Sequence, residues 1–139
     1  MNGKQVVVGG IVAGFIIFVI SWIFSWLTQT LWNYNVLDLA GMRGVDDPLA
    51  VLFFVYPWVL GFALSSVYSS IQKAFEGDVL SKGWKFGFLM WIIAGIPSAF
   101  LVFTSMTYPV GFTVNSVVGS LICMLVAGIV LVKIFNWIH

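Results

Sequence analysis

The stretch from Val6 to Thr28 reads VVVGGIVAGFIIFVISWIFSWLT and holds no charged side chain. A helix rises ~1.5 Å per residue and a hydrocarbon layer is ~30 Å thick, so about twenty apolar residues cross it. This stretch is long enough, and three more follow: roughly residues 48–71, 83–103 and 111–137. With spans at roughly 6–28, 48–71, 83–103 and 111–137, the expected fold is all-α, an integral membrane four-helix bundle. Residues 1–139 form a single transmembrane domain. The first stretch follows Lys4 as a secretory signal would. It outruns the ~7–15 residues of a signal core, however, and closes on bulky Trp22, Phe24 and Trp26 without a small-residue cleavage site. It therefore reads as a retained helix.

Composition agrees. The chain is 61% hydrophobic and 8% charged, against about 25% charged in a soluble domain. That is too little charge to cover a wet surface, so the expected solvent is lipid. A net charge of +1 supplies no field for nucleic acid. The single cysteine, Cys123, has no internal disulfide partner.

Charge and aromatic residues orient the helices. Four crossings place Lys4, Lys73, Lys82, Lys85 and Lys133 on one side and Arg43 on the other. The positive-inside rule makes the lysine side cytoplasmic, with both termini inside a multi-pass protein of the plasma membrane. Trp26, Trp32, Tyr34 and Tyr108 mark the outer interface, and Trp84 and Trp137 the inner one. Asp47 is expected to cap the second helix and Pro48 to occupy its first position. Pro57 and Pro97 each remove a backbone bond inside a span, so a kink is expected at each, with a broken-helix binding site as the sharper alternative. Residues 10–20 align with residues 83–93 through Gly10, Gly14, Gly83 and Gly87, which allows a parallel repeat of two helical hairpins.

Small residues at spacing four let helix backbones approach in lipid. Gly10, Gly14, Gly61, Gly87, Gly95 and Gly119 are the expected packing positions. Gly119 ranks with Gly61, so that Gly119→Leu is expected to force helices apart. The polar candidates inside the spans are Ser65 and Ser69 in the second helix and Asn115 and Ser120 in the fourth. They either bridge helices or line a polar cavity. Lys73, Lys82 and Lys85 are candidates for anionic-lipid contact, and an Arg43–carboxylate pair is expected to lock the outer loop.

No Asp, Glu, Arg or His lies in the middle of a span, which argues against proton relays, ion pumps and voltage sensors. The terminal His139 stands alone, short of the several ligands a metal or haem site needs. The serines lack a general base in their own segments. No catalytic residue, metal or cofactor is expected. Two functions remain: a scaffold or accessory subunit associating with itself or another membrane protein, and a small oligomeric channel or facilitator for a neutral or weakly polar solute. They differ in whether Ser65, Ser69, Asn115 and Ser120 pair across tight contacts or converge on one wet cavity.

Three segments carry a family likeness: residues 9–15 (GGIVAGF), residues 41–48 (GMRGVDDP) with Phe54, Val55, Tyr56 and Pro57, and residues 95–100 (GIPSAF) running on to Tyr108 and Pro109. In these the chain resembles a family of small four-helix membrane proteins of unknown function from archaea and bacteria. The resemblance implies the same topology and offers no activity to transfer.

Overall fold

The computed structural model describes residues 2–138. The reading of His139 falls outside them. The described chain is helical, without strands: α1 (Gly3–Leu31), α2 (Tyr56–Ile71), α3 (Val79–Ser105) and α4 (Val110–Trp137), with a 3-10 run at Pro48–Phe54 leading into α2. Three helices, α1, α3 and α4, are each long and apolar enough to cross a membrane. At ~1.5 Å per residue, even the 27-residue α3 reaches about 40 Å.

The stretch expected as one kinked helix over residues 48–71 is instead two pieces. Pro48–Phe54 winds as 3-10 helix and meets the following helix at 43°. The cause is local. Pro57 has no N–H to return to the Phe53 carbonyl, and its ring crowds that carbonyl, so the chain breaks at Val55. Start signals behave as the residue types dictate. Asp47 accepts from the Leu49 N–H at 2.9 Å with Pro48 just inside the 3-10 run. Asp78 accepts from the Ser81 N–H at 2.9 Å and so starts α3 at Val79, ahead of the expected Gly83. Gly77, at φ +115°, turns the chain into that cap.

Both α3 and α4 contain a widened π-turn, at Trp91–Gly95 and Asn115–Gly119. In α3 the Ile96 N–H bonds the Trp91 carbonyl five residues back, a wider loop of backbone that makes room for the ring of Pro97. In α4 two serine hydroxyls accompany the turn. Ser116 Oγ donates to the Phe112 carbonyl at 3.0 Å, and Ser120 Oγ donates to the Ser116 carbonyl.

Packing runs in a chain: α2 on α1, α1 on α4, α4 on α3. Each hairpin closes on three glycines. A Cβ on Gly61 would lie 2.6 Å from both the Gly10 carbonyl oxygen and the Gly14 nitrogen. Gly128 stands in the same relation to the Gly83 carbonyl and the Gly87 nitrogen. The core of Ala13, Ile17, Leu64, Phe86, Ala127 and Leu131 lies between these crossings. At the end holding both described termini, Gln5 Nε2 donates to the carbonyls of Phe135 (2.9 Å) and Ile138 (2.6 Å), tying the start of α1 to the end of α4. Elsewhere the surface is apolar: Trp26, Phe53, Phe100 and Trp137 are each more than 60% exposed.

Candidate functional site: a polar-lined cavity beside two proline-broken helices

Near the terminal end, α2 and α3 meet through aromatic rings. Tyr68 lies edge-on to Phe86 (centroids 5.0 Å) and to Phe135 (5.1 Å), and Phe75 caps Phe86 at 5.9 Å. Toward the opposite, loop end, the two helices part, and these are the two that carry proline. The space between them, floored by α1 and α4, is a cavity of about 310 Å³.

Its wall is built from all four helices. α1 supplies Ile17, Ser21 and Phe24, and α2 supplies Tyr56 and Leu60. α3 supplies Gly95, at the end of its π-turn, and Ser98 and Ala99 from the turn that follows. The π-turn of α4 matters most. A regular helix repeats every 3.6 residues, whereas this wide turn brings positions five apart onto one face. Asn115 and Ser120 therefore share the cavity wall, with Ser116 beside them. The hydroxyls of Ser116 and Ser120 are already donated to carbonyls. Ser21 Oγ and Cys123 Sγ lie 3.6 Å apart in the depth of the cavity. The Asn115 amide has no hydrogen-bond partner among the described residues, and no charged side chain lines the cavity.

The four polar candidates thus divide. Asn115 and Ser120 line the cavity. Ser65 is fully buried in the α1–α2 seam, where its hydroxyl donates to the Val6 carbonyl at 2.9 Å. Ser69, one turn closer to the terminal end, is buried with its hydroxyl unpaired among the described residues. Ser66 and Ser70 bond back to the carbonyls of Phe62 and Ser66.

Of the six glycines, Gly10, Gly14, Gly61 and Gly87 lie against a neighbouring helix: Gly10 against Phe62, Gly14 against Trp58, Gly87 against Met124 and Leu125. Gly95 faces Trp91 of its own helix and Ser120 of α4. Gly119 borders the cavity, with Phe24 no nearer than 3.6 Å to an added Cβ. Lys73 and Lys85 are exposed and Lys82 half-buried, all about the α2–α3 connection, where Lys85 Nζ reaches the Glu76 carbonyl at 3.4 Å.

Arg43 and Asp47 pair at 2.8 Å on the loop surface. The guanidinium bond, then the Leu49 N–H, hold the Asp47 carboxyl below the usual carboxylate range. Sequence reasoning left Ser21, Ser98, Tyr56 and Cys123 out of the site, along with the Gly83–Gly128 crossing and the Gln5 tie. The serine adjoining Pro97 was the available signal for Ser98. Nothing local marks Ser21. No family model, curated protein or solved structure matches the chain.

Proposed function

We propose that this chain is a four-span integral membrane protein of the plasma membrane, with both termini cytoplasmic, acting without catalysis as a scaffold or accessory subunit. Counting the bent pair at Val55 as one span gives four crossings. The lysines then gather at the end that holds the termini, and the positive-inside rule makes that end cytoplasmic. The matched glycine triads, Gly10–Gly61–Gly14 and Gly83–Gly128–Gly87, support reading the two hairpins as a parallel repeat. Kinship with the small four-helix family of unknown function rests on the three motif segments alone.

The observation that carries the functional reading is the aromatic seal. Tyr68, Phe86, Phe135 and Phe75 pack edge to face at the terminal end, which supports reading the polar wall as a blind pocket rather than a passage through one chain. Amide, hydroxyl and thiol groups face the cavity, and among the described residues no carboxylate or imidazole lines it to serve as base. The exposed apolar faces suit lipid, a second copy or a partner's helices. The facilitator reading draws on the Asn115–Ser120 wall and requires the seal to part. Stopped-flow swelling of proteoliposomes in glycerol and urea separates the two. The scaffold reading expects rates equal to protein-free vesicles, together with cross-linking in native membranes to one partner in fixed ratio. Solute flux above the protein-free rate would replace it with the facilitator.

A further inference from the structure

The cavity has a chemistry of its own, independent of whether the protein acts as a scaffold. Asn115 is half-buried in its wall with two N–H donors and one carbonyl acceptor unmet among the described residues. Polar groups left so in a water-poor layer are costly, and they persist where something else satisfies them. Ser116 and Ser120 have spent their hydrogens on carbonyls, so their oxygens remain only as acceptors. The α4 side of the wall therefore offers donors from one amide and acceptors from that amide and two hydroxyls, all between Asn115 and Ser120. The other helices face them mainly with carbon, at Ile17, Leu60, Ala99 and Val102, interrupted by Ser21, Tyr56 and Ser98.

Charge complementarity excludes ions. Among the described residues no cationic or anionic side chain lines the cavity, and a charged ligand would lose its hydration for no counter-charge. A group that only accepts would leave the serine oxygens and the Asn115 carbonyl unmet. A hydroxyl donates and accepts at once. The volume of about 310 Å³, at ~30 Å³ for each water-sized unit in a liquid, takes about ten non-hydrogen atoms.

We infer that the cavity binds an uncharged alcohol of about this size, its hydroxyl on the Asn115 amide and its carbon skeleton against Ile17, Leu60, Ala99 and Val102. Two sources share that chemistry. A membrane-dissolved alcohol enters sideways through the gap between α2 and α3. A small polyol enters from water at the loop end, past Tyr56.

Cys123 is the only cysteine in the chain and lines the cavity, so it reports occupancy without engineering. The full-length protein in lipid nanodiscs is alkylated with N-ethylmaleimide and followed by intact mass, with 1-octanol, glycerol or octane added. At ten times the half-effect concentration, an alcohol that binds slows alkylation about tenfold in the wild type. It leaves Asn115→Leu, and the smaller Asn115→Ala should the leucine variant fail to fold, unslowed. Slowing by 1-octanol alone assigns the lateral route, and slowing by glycerol alone the aqueous one. The inference is overturned by equal slowing in wild type and variant, by octane acting as well as octanol, or by neither alcohol acting. A Cys123 that resists alkylation with no alcohol present, because a partner helix fills the gap, overturns it as well. None of these outcomes bears on the swelling rates that test the scaffold reading.

Discussion

Gly61 and Gly128 occupy points where one helix backbone rests on another. A methyl group on either would strike main-chain atoms, which cannot rotate away. Gly119 differs. An added Cβ there meets the Asn115 Oδ1 at 3.1 Å and Phe24 at 3.6 Å, both side-chain atoms beside open space. Gly128→Ala should therefore cost about 2 kcal/mol or more, in the range of overpacked cores, and Gly119→Ala less than about 1 kcal/mol. Thermal unfolding of both variants in one detergent checks the order, which the spacing-four pattern alone does not supply. At the loop surface, Asp47 has its pKa depressed by Arg43. A depressed carboxylate stabilises the folded loop above its ordinary value of about 3.9, and the contribution is lost as pH falls through the folded value. In Arg43→Gln, carbon-13 titration of the Asp47 carboxyl should move up toward that ordinary value. An unchanged midpoint would mean that the ion pair is not formed in solution.

At the scale of elements, the two π-turns act as a pair. Trp91, at the head of the α3 turn, donates its indole N–H to the Val117 carbonyl inside the α4 turn at 3.0 Å. This bond crosses between the helices beside the cavity wall and holds their irregular turns in register. Trp91→Phe keeps most of the ring and removes the donor, so a loss of about 1 kcal/mol is expected. The same thermal measurement reads it, and an unshifted midpoint would show that the bond contributes nothing. Pro57 and Pro97 were legible as interruptions, since a missing N–H is written into the residue type. The π-turn of α4 was not, because no proline marks it. Ser116 and Ser120 bond back to carbonyls there, but Ser66 and Ser70 do the same in the regular α2, so serine alone is no signal.

For the whole molecule, the decisive test is sidedness. In a Cys123→Ser background, a cysteine at Val45 should react with an impermeant maleimide in intact cells, and one at Ser81 only after permeabilisation. Labelling of both from the same face would reject the four-span arrangement. The cavity also belongs to this scale. It exists because two helices with proline part toward one end while an aromatic cluster holds them at the other.

Read alone, the amino-acid sequence determined that the chain is helical and that it holds stretches apolar enough to cross a membrane, expected as four, of which the structure shows three as single long helices. It also determined where caps and prolines begin or break helices. These properties are local: hydropathy summed over a turn, a missing N–H, a carboxylate beside a free one. The tertiary structure decided which glycines touch backbone, that among the described residues Ser65 is paired while Asn115 is not, and that Asn115 and Ser120 share a wall. Those depend on helix crossings and on one extra residue in a turn, and a shift of one residue rotates a helix face by ~100°. No pattern of spacing four carries that information, because it presumes the regular helix that the π-turn departs from.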